Sequence, residues 1–232
     1  MKASRILCVI CALFLFFSHR SVGQQAALPD RAQWTTLSRD SSSRYFYPRL
    51  LQRFLDADTA LTNSELVLLN HGYTLQASYD PYGQSMTEDT LYDCIKQQEY
   101  EKALEIGHRY LRTNPVSLRG NLAMMLAFKH LDSLAEQMKY RTHVSQLLRS
   151  VLSAGSGRSA DSAFVVINVS DEYTILDYLG YAVNLQSLIS GRNGRSYDMM
   201  NVTAREDTTD NRVFYFDVTA PLESLSKQIN GK

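Results

Sequence analysis

Two adjacent carboxylic acids, Asp171 and Glu172, follow a β-branched run at Ala163–Val169 and offer the most direct route to acid–base chemistry in the chain. Paired carboxyl groups act as general acid and base when their surroundings split their pKa values. Neighbours in sequence usually point apart, however, and Asp171 also suits a helix cap, where a side-chain oxygen accepts from a free backbone N–H. A divergent hydrolase or transferase would draw on Asp171, Glu172 and His108. Nucleophiles are scarcer. Cys94 sits beside Ile95 in an apolar pattern and reads as a small buried hydrophobe, not a thiolate. Ser156 and Ser159 lack the strand–turn–helix setting of a nucleophile elbow, and Gly155-Ser-Gly157 lacks the Lys-Ser/Thr of a phosphate loop. His71, His108, His130 and His143 show no helical pairing and no His-Glu-x-x-His pattern. Structural zinc needs several Cys or His ligands at close spacing. No metal and no cofactor is expected.

Aromatic residues offer a different chemistry. Tyr45, Phe46, Tyr47, Tyr73, Tyr79 and Tyr82 cluster in the N-terminal part. An exposed tyrosine suits a glycan or protein surface, because its ring packs while its hydroxyl bonds. The alternative is packing in the core or at a hinge between helices and sheet. The candidate binding residues are Tyr79, Tyr82, Tyr100, Arg109 and Tyr110.

These groups belong to a chain that begins with an export signal. Lys2 and Arg5 form a basic start, Ile6–Phe17 is apolar, and Ser21-Val-Gly23 offers small residues for cleavage. The apolar run is too short for a permanent span, so no membrane segment is expected after cleavage. Removing residues 1–23 removes Lys2, Arg5 and Arg20, leaving 21 basic against 24 acidic residues. No basic tract remains, which argues against nucleic acid as a partner. Only Cys94 is left of three cysteines, so the core and not a disulfide must hold the fold.

The elements that position the candidate residues follow from periodicity. Residues 24–44 read as a flexible leader, although Trp34 and Leu37 can dock on the body. Tyr47–Leu55 is a helix with Pro48 in its first turn. Thr62-Asn-Ser-Glu65 and Ser85-Met-Thr-Glu88 are both capping-box patterns; the first opens a helix that should close at Gly72. Tyr100, Ala103, Leu104, Gly107 and Leu111 form one apolar stripe of a helix that Asn114-Pro115 stops. Leu118–Leu131 and Ser133–Leu152 are further helices. Residues 153–162, with Ser153-Ala-Gly-Ser-Gly-Arg-Ser159, form a linker of flexible composition. Strands are expected at Ala163–Val169, Tyr181–Ile189, Tyr197–Ala204 and Arg212–Val218, with a short helix over Glu172–Leu179 and a turn at Gly191–Gly194. Helices followed by strands define an α+β fold: a helical region over 45–152, then a β-rich region over 163–232 with about four mainly antiparallel strands.

Two resemblances refine this picture. Lys96-Gln-Gln-Glu-Tyr-Glu-Lys-Ala-Leu-Glu-Ile-Gly-His-Arg-Tyr-Leu-Arg-Thr-Asn-Pro115 resembles the second half of a tetratricopeptide repeat, with Ala103 at the small helix-B position. Tyr110 and Gly107 depart from that pattern, and the stretch after Pro115 is degenerate. One or two such units within a mixed domain are expected, not a solenoid. More widely, three blocks taken together resemble an exported Bacteroidota family known as domain of unknown function 4919. They are Tyr47–Leu55 with Tyr79-Asp-Pro-Tyr82, then Glu99-Tyr-Glu-Lys-Ala-Leu104, then Ala163–Tyr173 with Val213–Val218. The resemblance runs from about Tyr45 to Lys227 and implies a periplasmic or secreted protein with no assigned activity and no site residues to carry over. Asp58-Thr-Ala60, Asp132-Ser-Leu134 and Asp161-Ser-Ala163 fit a short O-glycosylation pattern of exported proteins in that phylum. The sequence thus points to a non-enzymatic module that contacts an envelope protein or a glycan, through a groove between helices and sheet. A divergent hydrolase or transferase near Asp171 and Glu172 is the alternative.

Overall fold

The computed structural model describes residues 27–83, 85–191 and 194–230. The signal read at 1–23 lies outside these, as do Arg192 and Asn193 of the expected Gly191–Gly194 turn. Near the start of the described chain, α1 (Trp34–Arg39) follows one short 3-10 turn. Trp34 is 2% exposed, and its indole N–H donates to the Pro29 carbonyl at 2.9 Å. This part of the leader is therefore docked, as its bulky aromatic requires.

The helical layer follows the apolar periods closely. Helix α2 (Tyr47–Leu55) carries Pro48 in its first turn and buries Tyr47, Leu50 and Phe54. Helix α3 (Asn63–Thr74) opens with the Thr62–Glu65 capping box, both hydrogen bonds of which are present. Gly72 does not close it. The glycine lies within the helix, where an added Cβ would come 2.6 Å from the Tyr47 ring, so it serves close approach of α2 and not a terminus. Helices α4 (Ser85–Lys96) and α5 (Tyr100–Thr113) are joined by a tight turn with Gln98 at φ 62°. Ala103 of α5 packs with Cys94 of α4 and Ala127 of α6 (Leu118–His130), a meeting of small side chains that lets three helices close up. Ser117 caps α6 by accepting from the Gly120 N–H at 2.9 Å. The long α7 (Leu134–Ala154) completes the layer.

The sheet has strand order β1-β4-β3-β2. Strands β2 (Tyr181–Ser190), β3 (Ser196–Ala204) and β4 (Asn211–Asp217) form an antiparallel meander, and β1 (Phe164–Val165) pairs parallel with β4. The β-branched run thus supplies a much shorter strand than expected. Beyond it the Val166 N–H still donates to the Asp217 carbonyl of β4 at 3.3 Å, Val166 and Ile167 are buried, and α8 (Ser170–Tyr178) begins. Helix α9 (Thr219–Asn230) was not anticipated, although Pro221 stands in its first turn and Leu222, Leu225 and Ile229 keep a helical spacing. One apolar cluster joins both layers, from Leu66 and Leu147 to Phe164, Met200 and Phe216. Among the described residues no helix is long and apolar enough to cross a membrane.

The Gly/Ser-rich connection after α7 is anchored on both sides. The Gly157 N–H donates to the Ser162 carbonyl at 2.8 Å, and its carbonyl accepts from the Tyr215 N–H at 2.8 Å. A Cβ on Gly155 would lie 2.3 and 2.4 Å from the carbonyl oxygens of Ala163 and Ser162, backbone atoms with little room to yield. Gly155→Ala is therefore expected to destabilise by about 2 kcal/mol, as overpacking does. The check is the urea midpoint, which should fall at constant m-value. An unchanged midpoint would mean that the segment moves freely.

Candidate functional site

A row of buried carboxyl groups crosses the seam between helices and sheet. It starts with Glu88. The Ser85–Glu88 pattern does not form a capping box: Ser85 is already helical, and Glu88 turns inward to become 3% exposed. Its Oε1 accepts from the Tyr110 and Ser117 hydroxyls, each at 2.7 Å. Its Oε2 accepts from the Arg119 guanidinium and the Ser170 hydroxyl, each at 3.3 Å. A buried polar group without such partners would carry a heavy desolvation cost. Burial, followed by the Glu88 charge, holds the Tyr110 phenol protonated far above its ordinary range.

The next two members lie in the first turn of α8. Asp171 does not cap that helix; Val169 holds the cap position and makes no side-chain cap bond. The helix starts two residues earlier than a cap at 171 would require, so the carboxyl group is carried inward. There it bonds to the Asn168 side chain, while Oδ1 has no partner among the described residues. Burial, and then the Glu88 charge, raise its pKa well above the ordinary carboxyl value. Glu172 is fully buried and hydrogen-bonded to Asp198 of β3. Gln186 of β2 holds the pair from the side, its amide donating to Asp198 Oδ2 at 2.7 Å and reaching Glu172 Oε2 at 3.4 Å. The Tyr173 hydroxyl donates to the Gln186 side-chain Oε1 at 2.5 Å. Burial, and then Asp198, push Glu172 up to about 9. At neutral pH Glu172 therefore keeps its proton. A carboxyl group that keeps its proton is what a general acid requires. Shielding of Glu172 from solvent nevertheless keeps it from a bound substrate in this conformation.

Over this row lies an open groove of about 740 Å³ between α4, α6, α8 and β2. Tyr92, Tyr173 and Tyr181 line it together with Arg119, Asp177 and Arg205. Arg119 joins groove and interior: its guanidinium lies 4.9 Å from the Tyr92 ring centre while pairing with Glu88 and, at 3.0 Å, with Asp89. Arg205 pairs with Asp177. Tyr173 is 48% exposed, so its ring is available to a ligand. Rings for apolar faces and charged forks for hydroxyls are what a polar ligand needs from such a groove.

The five tyrosine and arginine candidates do not share one surface. Tyr79 is half-buried and donates to the Ile167 carbonyl at 2.7 Å. Tyr82 is half-buried near the carboxyl pair, where burial and then Asp198 and Glu172 raise its pKa. Tyr100 stacks on His130 at 4.6 Å. Arg109 is exposed, paired with Glu105 at 2.9 Å, and lines a second hollow of about 520 Å³ beside the buried Tyr110. None of the five lines the seam groove. His108 is exposed and edge-on to Phe128; it makes no hydrogen bond to Asp171 or Glu172 among the described residues. The sequence reading missed Glu88, Asp198, Gln186, Tyr92, Arg119, Tyr173, Tyr181 and Arg205. One signal was present: Asp198 alternates with Met200 and Val202 and so had to face inward. Among the described residues no three His, Cys, Asp or Glu side chains gather as a metal ion would require.

No match was found among curated proteins, and none among solved structures. A family match covers residues 35–227, a span that contains both layers and the whole carboxyl row. The chain thus belongs to the family described as Domain of unknown function (DUF4919).

Proposed function

We propose that this is an exported, non-enzymatic binding protein of the cell envelope whose seam groove takes a glycan. The observation that carries the reading is the groove itself: three tyrosine rings and two arginines around about 740 Å³, above carboxyl groups closed off from solvent. Sugars present apolar ring faces to aromatics and hydroxyls to charged forks, and Tyr173 with the Arg205–Asp177 pair supplies both. The basic and apolar N-terminus supports export, with a mature chain starting at Gln24.

N-terminal sequencing of the protein recovered outside the cytoplasm tests the first half of this reading. The second is tested by titrating envelope oligosaccharides against the protein by calorimetry. Tyr173→Ala is expected to weaken binding about tenfold, the loss of one aromatic contact surface. Binding that is insensitive to both Tyr173→Ala and Arg205→Gln would remove the groove from consideration. Cleavage of the oligosaccharide would instead bring the Glu172–Asp198 pair into a catalytic role.

A further inference from the structure

A further cavity, of about 800 Å³, lies away from the seam between α1, α3 and α9. Its charge is lopsided. Arg31, Arg39, Arg195 and Lys227 line it, against Glu223 as the one lining carboxylate among the described residues, while Asp217 lies beneath. Arg31 is fixed in place by Asp217 at 2.8 Å and stands 5.1 Å from the Trp34 ring centre. That pair engages only part of its guanidinium, which carries five N–H donors. Arg39 and Lys227 have no carboxylate within ion-pair distance among the described residues.

His71 records the same field. It lines the cavity and bonds to the Thr35 hydroxyl through Nε2 at 3.1 Å. Burial first, and then the charges of Arg31 and Arg39, push its pKa down to about 4. The histidine is therefore neutral at physiological pH and adds hydrogen bonding, not charge. Thr35 and Thr219 bring hydroxyls to the same walls. Two cations without an ion-pair partner among the described residues, two guanidiniums anchored from below and several hydroxyls give these walls a net positive charge with hydrogen-bond donors beside it.

We propose that this cleft binds a phosphate-bearing ligand, with Arg39 and Lys227 closing on the phosphate oxygens and Arg31 and Arg195 forming the floor. The same chemistry is offered by a soluble phosphate ester and by a phospholipid headgroup, so the test has two arms. Inorganic phosphate and glycerol phosphate are titrated against the full mature chain by NMR. Vesicles of phosphatidylglycerol, with phosphatidylcholine as control, are assayed by co-sedimentation. Both arms are repeated with the surface double variant Arg39→Gln/Lys227→Gln and with Arg109→Gln, which lies outside the cleft. The expected result is saturable binding in one arm, weakened at least about tenfold by the double variant and unchanged by Arg109→Gln. Binding in the soluble arm identifies a free ester; binding to anionic vesicles alone identifies a headgroup. Absence of binding in both arms overturns the proposal, as does binding that the double variant leaves intact or that Arg109→Gln weakens equally.

Discussion

Glu88→Ala is expected to remove about 3 kcal/mol of stability, the largest single loss among the polar residues at the seam. The substitution strands a guanidinium, a phenol and two hydroxyls that now donate to one carboxylate. Breaking a buried charge pair from one side costs roughly 3–5 kcal/mol, mostly as the penalty on the partner left behind. Arg119 retains 19% side-chain exposure and a second partner in Asp89, which places the loss at the lower end. Glu88→Gln should lose less, because its amide oxygen still accepts from Tyr110 and Ser117 while the pairing with Arg119 is weakened. Chemical denaturation of the three proteins measures the order. If the alanine variant falls within 1 kcal/mol of the parent, Glu88 is not the keystone described.

The second large effect concerns pH. Folded Glu172 holds its proton to about pH 9, whereas the ordinary value is 4.5. Between these values the folded protein binds more protons than the unfolded chain. Stability is then fullest below 4.5 and is lost as pH rises toward 9, at about 1.4 kcal/mol per pH unit from this one group. From pH 5 to pH 7 the decline should reach roughly 3 kcal/mol. Asp171, whose pKa is also raised, acts in the same direction. Glu172→Gln removes the ionisation while its amide can still donate to Asp198. This variant should therefore be more stable than the parent at pH 7, match it near pH 4, and show a flatter profile between. Thermal unfolding across pH 4–8 provides the test. A parent profile that rises with pH over this range would refute the assignment of a protonated Glu172.

Much of the framework was legible because it is local. Pro48 in a first turn, the reciprocal Thr62–Glu65 box, the stripe from Tyr100 to Leu111 and the alternation in β4 each need only neighbours within one or two turns. The departures share one cause. Gly72 resembles a terminator until the Tyr47 ring is seen against it, and Gly155 resembles a hinge until two carbonyls are seen beside it. Ser85–Glu88 carries the same Ser/Thr-x-x-Glu pattern as the working box at Thr62–Glu65. Glu65 also accepts from Arg53, at 2.9 Å, yet keeps its capping bonds, whereas Glu88 is drawn into the seam by donors from α5, α6 and α8. Composition cannot distinguish these cases, because the deciding atoms are distant in sequence.

The amino-acid sequence by itself determined the α+β class, the order of helices and meander, and the family, since each rests on periodicity or on contiguous motifs. Only the tertiary structure decided which carboxyl groups meet and which tyrosines face a ligand. Glu172 and Asp198 are 26 residues apart, and Glu88 is 82 residues from Ser170. Such pairs come together through the packing of α8 between the helices and β2. That same burial, not any feature of the local sequence, keeps a proton on Glu172.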